Sequence, residues 1–556
     1  MISSTMSTNY LQIHPHDNVL VALKDLKAGK LIQHNGETFS LATDVSAKHK
    51  FTIHLLNQGD EIYMYGVLVG VANESIDKGA AITTGNIHHA STGFELGERK
   101  LQWDKPDVGD FASQTFMGYH RSDGSVGTGN YWLVIPLVFC ENRNVNVLKD
   151  AMYAKLGFDQ PKGYEQEVNS LIDMYKAGKS VEEILSADIA HQSVSEHQTR
   201  KVFANIDGIK FLNHELGCGG TKSDADALCG LLAGYITHPN VAGATVLSLG
   251  CQHAQADILR TEINKRDPRF DKPLIILEQQ QIGTESKLMQ EALKQTFTGL
   301  IQANKQQRMP APLSKLCVGL ECGGSDGFSG ISANPALGYF SDILVALGGS
   351  VILAEFPELC GVEQELSDRC VDERSALRFM ELMRNYNAQA EAAGSGFYAN
   401  PSPGNIRDGL ITDAIKSAGA AKKGGTSPVV DVLDYPGKVS KPGLNLLCTP
   451  GSDVESTTAE VAAGANIVLF TTGLGTPTGN PVAPVIKLST NTALYKRMPD
   501  IIDIDCGTII EGTESIAEAA KRILNYVIDV ASGNLKPKAV QLGQDDFIPW
   551  KRGVSL

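Results

Sequence analysis

KLCVGLECGGSDGFSGISAN, residues 315–334, is the stretch from which the rest of the chain can be read. Lys315-Leu316-Cys317-Val318 is β-like. The sixteen residues that follow carry five glycines, one thiol, two acids (Glu321 and Asp326), three serines and an asparagine. Such a run predicts a loop leaving the end of a buried strand. Glycine accepts positive φ and lets backbone amides approach a ligand closely. The thiol and the acids offer soft and hard metal donors, or an acid and a base. A glycine-rich tight turn with no other purpose is the plainer alternative.

The same pattern recurs on both sides of this segment. Apolar runs at 132–138, 244–249, 274–277, 351–354 and 467–470 alternate with helical stretches such as 287–302 and 375–393. Alternation of this kind predicts a multidomain α/β protein with mainly parallel sheets in three-layer units. Ligands gather beyond the carboxyl ends of such strands. The motifs at 140–142, 250–252, 319–334, 355–358 and 473–479 all fall there. NPSPGN at 400–405 suggests a break, giving a central α/β domain over 118–395 and a C-terminal one over 396–556. Upstream, short strand-like runs separated by HNGE, NQGD and DKGA predict a small all-β domain over 9–96. Residues 97–117 lack periodicity and read as a linker.

A chain of 556 residues exceeds one hydrophobic core. Its net charge of −14, with no long basic run, argues against nucleic acid or an anionic membrane as partner. No stretch of about 20 apolar residues is available to span a bilayer. The first residues lack an apolar signal core, so a cytoplasmic enzyme is expected. Ten cysteines are too sparse for a disulfide scaffold, and none forms a CxxC pair. Cys218, Cys251 and Cys322 each stand beside glycine in polar loops and are candidate site thiols. Cys317, Cys360 and Cys448 read as small buried hydrophobes.

His14, His16, His49, His54, His88 and His89 crowd the small domain. Histidine is both a metal ligand and a proton carrier near neutral pH, and Asp17 is placed to orient a neighbouring imidazole. Solvated histidines on a small β domain are the alternative. HELGCGG brings His214, Glu215 and Cys218 together, whereas Asp224 and Asp226 in TKSDAD mark a helix start. GLGTPTG lacks the Lys-Ser/Thr of a phosphate loop, and its prolines prevent an immediate helix. Its amides, with Lys487 nearby, suit a small carboxylate.

Taken together, IHPHDNV, AKHKF, YHRSDGSVGTGN, HELGCGG, LSLGCQ, LECGGSDGFSGISANPALGYFSD, AEFPELCGVEQ, NPSPGN and TTGLGTPTG resemble the altronate/galactarate dehydratase family of sugar-acid hydro-lyases. The resemblance implies a SAF-type β-clip domain ahead of the α/β domains, and a divalent metal, iron(II) or manganese(II). It also implies dehydration of altronate to 2-dehydro-3-deoxygluconate in hexuronate breakdown. Carried over by motif, it puts His14, His49, Glu321 and Asp326 in catalysis. Asp17, Asn18, Arg121, Asn130, Asn400, Asn405 and Thr476 then bind substrate, and His214, Cys218, Cys251, Cys322 and Glu358 hold metal. The mixed donors favour iron(II) or manganese(II) over magnesium, and leave open an iron–sulfur cluster on Cys218, Cys251 and Cys322. The chain departs from the family pattern at Thr83-Thr84-Gly85-Asn86, Gly129 and Ala418. Galactarate is the alternative substrate, and a sugar-acid-binding protein without turnover is the rival of another class. A homo-oligomer is left open.

Overall fold

In the computed structural model, which describes residues 9–159, 163–189 and 201–555, the apolar runs form two parallel sheets. The first consists of β1 (Tyr131–Pro136), β2 (Gly208–Phe211), β3 (Val241–Ser248) and β4 (Leu274–Glu278), in the order β2-β1-β3-β4. The second holds β5 (Cys317–Cys322), β6 (Ser350–Leu353), β7 (Val429–Leu433), β8 (Gly443–Leu447), β9 (Ile467–Thr472), β10 (Val485–Ser489) and β11 (Ile504–Asp505). Its order is β7-β8-β6-β5-β9-β10-β11. Strands such as β9, IVLFTT, are buried throughout, as a sheet covered on both faces requires.

Two expectations are corrected here. The division at 395/396 would cut the second sheet, because β5 lies between β6 and β9 and β6 pairs with β8. A strand buried on both sides needs two neighbours, and β5 draws one of them from beyond the expected boundary. The chain passes from one sheet to the other between β4 and β5. The expected strand start at Lys315 also shifts, so that Glu321 and Cys322 are strand residues and the loop opens at Gly323.

Five helices set up the site: α1 (Lys222–Thr237), α2 (Ala333–Ala346), α3 (Asp413–Ala421), α4 (Asp453–Ala463) and α5 (Ile516–Ser532). Helix α1 begins as TKSDAD predicts, with the Thr221 hydroxyl accepting from the Asp224 amide. Helices α1 and α4 lie between the two sheets. One apolar cluster joins Leu133 and Ile135 of β1, Leu228 and Leu232 of α1, Val461 of α4, and Val468 and Phe470 of β9. Gly234 lets the helices touch, since a Cβ there would stand 2.4 Å from the Ala462 carbonyl oxygen. Just past the helix ends, His238 Nε2 lies 3.1 Å from the Ala465 carbonyl oxygen, and Asn240 donates to Asn466 O. With their C-termini together, α1 and α4 lead side by side into β3 and β9.

The small domain is antiparallel throughout. HNGE turns the Leu31–His34/Glu37–Ser40 hairpin with Asn35 and Gly36 both at positive φ, as a two-residue turn of that hand requires. The domain docks on the region before α3: Lys50 Nζ donates to Gly409 O at 2.6 Å, and Thr412 Oγ1 to Val69 O at 3.0 Å. The stretch expected to link the domains is pinned rather than loose. Arg99 donates to Ser367 O, Lys100 pairs with Asp368, and Thr115–His120 is a strand paired with Met309–Pro312. Among the described residues no helix is long and apolar enough to cross a membrane.

Two outcomes test this packing. Gly234→Ala presses a methyl group into the α4 backbone and should cost about 1–3 kcal/mol, read by urea unfolding. Glu460 of α4 accepts from Leu320 N in β5 at 3.0 Å, and burial, then the nearby Glu355, raises its carboxyl from 4.5 to about 8. Between those values the folded protein holds a proton that the unfolded chain has released, so stability falls as pH rises, at about 1.4 kcal/mol per unit. Glu460→Gln should remove that slope. Its stability relative to the parent should climb from pH about 5 to about 8, and a constant difference would contradict the assignment.

Candidate active site

At the carboxyl end of β5 and β6, charged side chains gather under almost complete burial. Cys322 closes β5. Glu355 and Glu358 follow β6, with Glu355 held in the left-handed region at φ 59. Lys416 comes from α3, and Lys423 stands seven residues later on the same side, two helical turns on. Lys423 Nζ lies 2.8 Å from Cys322 Sγ and 2.9 Å from Glu355 Oε2, and it is 1% exposed. Lys416 Nζ lies 2.6 Å from Glu358 Oε1 and 2.8 Å from Asn400 Oδ1. Cys322 Sγ also approaches Glu358 Oε2 at 3.0 Å.

The acids divide by environment. Burial, then Glu355 and Glu460, pushes Glu321 well above the carboxylate range. Neither of its oxygens has a donor, a deficit that a proton shared with the Glu355 carboxylate makes good. Burial also raises the Cys322 thiol, with Glu355 and Glu358 adding to it. Burial pushes Glu358 up as well, yet Lys416 and Lys423 outweigh it and hold this carboxyl below its usual value. Asp453, at the N-terminus of α4, is raised to about 7 by burial and by Glu355 and Glu358. It is half-buried and lies against Gly323, where a Cβ would stand 2.1 Å from Asp453 Oδ2. Asn400 adds a buried Nδ2 without a partner. Glu358, Lys416, Asn400 and Asp453 thus form the mouth, and Glu321, Cys322, Glu355 and Lys423 the interior.

Cys322, Glu355 and Glu358 present ligand atoms within 4.8 Å of one another, one of two such groups of three among the described residues. Their donor chemistry suits a divalent ion. The position is filled, however: the Lys423 ammonium contacts both the thiol and a Glu355 oxygen, and Lys416 holds Glu358. The cluster carries its own cations and does not fit a resident metal while those pairs stand.

The small domain closes the adjoining loop. Lys48 pairs with Asp326 at 3.0 Å and Asp408 at 2.7 Å. His49 Nε2 is 3.0 Å from Arg407 O, and the Tyr65 hydroxyl lies against Gly330, where a Cβ would clash with it. Lys48, Tyr65 and Glu355 are three of the four non-glycine residues at positive φ among the described ones. Backbone strain of this kind collects at functional sites.

The expected residues fare unevenly. Glu321, Cys322, Glu358 and Asn400 come together. Asp326 sits fully buried on the adjoining loop, bound by Lys48, Ser329 and Thr490, and Asn405 secures that loop through Ser325 O at 2.8 Å. His49 lies at this seam. His14 is exposed beside Gly66, while Asp17 and Asn18 are spent on backbone, Asp17 on the amides of His14 and Gly66, Asn18 on Glu61 O and the Tyr63 amide. Thr476 pairs with Thr478, and Lys487 is buried against Thr478 O.

Arg121 and Asn130 stand at the opposite, amino edge of the first sheet. Arg121 donates to Pro239 O and to Asn130 Oδ1, and Asn130 donates to Asn205 O. They stitch strand starts together and cannot reach this mouth. His214 has both nitrogens engaged, with Pro136 O and the Leu216 amide, and burial lowers it to about 4. Cys218 and Cys251 are exposed at the carboxyl edge of the first sheet, apart from the close-set Cys322 group. Sequence reasoning reached Glu355 only as part of the motif at 355–358, and it missed Lys416, Lys423 and Asp453. The signal for the lysines was their seven-residue spacing in the small-residue run AIKSAGAAKKGG.

Known proteins are similar to this chain along nearly its whole length. The profile described as Altronate/galactarate dehydratase SAF domain matches residues 8–90. D-galactarate dehydratase/Altronate hydrolase, second domain, matches 118–304, and D-galactarate/Altronate dehydratase, C-terminal, matches 313–555. These limits separate the two sheets where β4 gives way to β5. Altronate dehydratase of Bacillus subtilis (strain 168) is 33% identical over 99% of this chain and 100% of its own length. Altronate dehydratase of Escherichia coli (strain K12) is 32% identical, covering 94% of this chain and 95% of the relative. Galactarate dehydratase (L-threo-forming) of Escherichia coli (strain K12) is 31% identical, covering 97% and 96%. With SAF domain, second domain and C-terminal domain matched in order and relatives aligned end to end, the chain belongs to the altronate/galactarate dehydratase family.

Proposed function

We propose that this protein is a sugar-acid hydro-lyase that converts D-altronate to 2-dehydro-3-deoxy-D-gluconate. Relatives named for altronate align over nearly the whole chain, and the mouth described above supplies the groups that such a reaction needs. One observation carries the reading. Glu358, kept ionised by Lys416, stands within electrostatic reach of Asp453, whose carboxyl is raised to about 7. Two carboxyl groups driven apart in acidity by their surroundings make an acid–base pair.

The C2 proton of an aldonate is weakly acidic, because its loss places a second negative charge beside the carboxylate. Lys416 at the mouth and Lys423 behind it, both buried, offer fixed positive charge to offset such a charge without reorganising. Glu358 is the ionised group suited to take the C2 proton. Asp453, raised to about 7 and so still protonated in a large share of molecules near neutral pH, is suited to give a proton to the departing 3-hydroxyl. The Asn400 Nδ2 group, buried without a partner, is a ready donor to a substrate oxygen. The enol left behind tautomerises to the 2-keto-3-deoxy acid. No step here passes through a metal, since the lysines occupy the place where one would sit in this cluster.

The deciding assay is formation of 2-keto-3-deoxy acid, with D-altronate, galactarate and D-gluconate compared side by side. Turnover of altronate alone is expected. Turnover of galactarate alone would keep the chemistry and move the substrate, and no product from any of the three would defeat the proposal. Glu358→Gln and Asp453→Asn should each lower turnover by about 10²–10⁴-fold. Asp453→Asn should leave the unfolding midpoint close to the parent's, whereas Glu358→Gln, which breaks the buried pair with Lys416, should lower it as well. The parent's activity should decline as pH rises through about 7, where Asp453 loses its proton. In Asp453→Asn that decline should be absent.

A further inference from the structure

The ten cysteines divide sharply by exposure. Cys229, Cys322, Cys370, Cys448 and Cys506 are buried, and Cys317 and Cys360 are half-buried. The exposed three are Cys140, Cys218 and Cys251. Free cysteine is among the most buried of residues, so three exposed thiols call for a cause. All three lie on loops at the carboxyl ends of the adjacent strands β1, β2 and β3.

The strand register and the loop contacts bring them together. Pro136 of β1 pairs with Leu247 of β3, and Cys140 and Cys251 each stand four residues further on. The loop after β2 is fastened between the other two: Phe139 N donates to Leu216 O at 3.0 Å, and Ala254 N to Gly217 O at 3.2 Å. Cys218 adjoins that junction. Gly217 and Gly219, at φ 100 and 64, bracket it, and Gly250, at φ 126, precedes Cys251. A Cβ on Gly217 would stand 2.4 Å from Leu137 O, so this loop approaches the end of β1 as closely as backbone allows. Beside Cys140, the fully buried Glu141 keeps one oxygen without a partner.

We propose that Cys140, Cys218 and Cys251 together ligate an iron–sulfur cluster of the four-iron type, leaving one iron without a protein ligand. Thiolates are the protein ligands such clusters take. His214 adds no fourth, because both its nitrogens are engaged. This site replaces the expected set of Cys218, Cys251 and Cys322, since Cys322 is enclosed with Lys423 on the other sheet. The inference rests on the thiols and stands apart from the dehydratase reading.

The test uses the full chain, prepared without oxygen and reconstituted with iron(III), a thiol reductant and sulfide. Iron and acid-labile sulfide are measured alongside visible absorption and electron paramagnetic resonance of the reduced protein. About four irons and four sulfides per chain are expected, with the spectroscopic signature of a thiolate-bound cluster. Cys140→Ala, Cys218→Ala and Cys251→Ala should each lose most of that iron and sulfide, and Cys360→Ala should keep both. Unfolding midpoints identify a variant that has merely lost its fold, and for such a variant the serine substitution is read in its place. Iron without sulfide, clusters retained by the three alanine variants, or a disulfide between two of these thiols in protein kept free of oxygen would each overturn the proposal. A cluster in a protein that dehydrates no sugar acid would leave this inference intact and remove only the functional one.

Discussion

Lys423 is the cation around which the carboxyl edge of the large sheet is organised. Its ammonium meets the Cys322 thiol and the Glu355 carboxylate, and without it Glu321, Glu355 and Glu460 would face one another with no compensating charge. Breaking a buried pair of this kind costs about 3–5 kcal/mol, comparable to much of a domain's net stability. Its backbone is tied in as well: the Lys423 carbonyl accepts from Ser341 of α2 at 2.9 Å, and Gly338 of α2 leaves room for the Lys422 carbonyl. The position of the ion is therefore fixed by helix packing, and the acidities of the surrounding groups follow from it.

The small domain depends on the same economy of buried charge. Lys50 is wholly buried, and burial draws its ammonium down to about 7 despite the opposing pull of Asp326. A lysine is tolerable there because Gly409 O accepts from it and Asp326 lies near. Lys48 beside it makes a two-sided ion pair with Asp326 and Asp408. The loop from Gly323 to Phe328 is thus held from both sides, by lysines of the β domain and by Asn405.

Much of this arrangement was legible in residue order, and the reasons for the rest are physical. Strand–helix alternation gave the parallel sheets, because a strand buried on both faces has to be a continuous apolar run. The TKSDAD start of α1 was plain, because a cap is written in adjacent residues. Sheet membership was not, since the neighbours of β5 are chosen by long-range pairing that leaves no local mark. The site was half visible. Glu321, Cys322 and Glu358 sit in motifs at strand ends, but Asp453 looks in sequence like any acid opening a helix. Arg121 and Asn130 misled for the converse reason: a glycine-rich polar motif reads alike whether it binds a ligand or splices strand starts.

Residues 548–553 have a bearing on the order in which the molecule is made. Ile548 N donates to Thr458 on α4, Trp550 N to the Tyr435 hydroxyl, and the amides of Arg552 and Gly553 to Asp224 at the start of α1. This strap crosses from the large sheet's helix to the small sheet's helix. Synthesis delivers it after every strand of both sheets, just as the β domain, delivered first, must wait for Gly409 and Thr412 before it can dock. Until then the two sheets are joined by the packing of α1 on α4 and by the contacts past their C-termini. The strap therefore forms on a surface that both sheets have already built: it can fasten α1 to α4, but it cannot choose the strand order of either sheet.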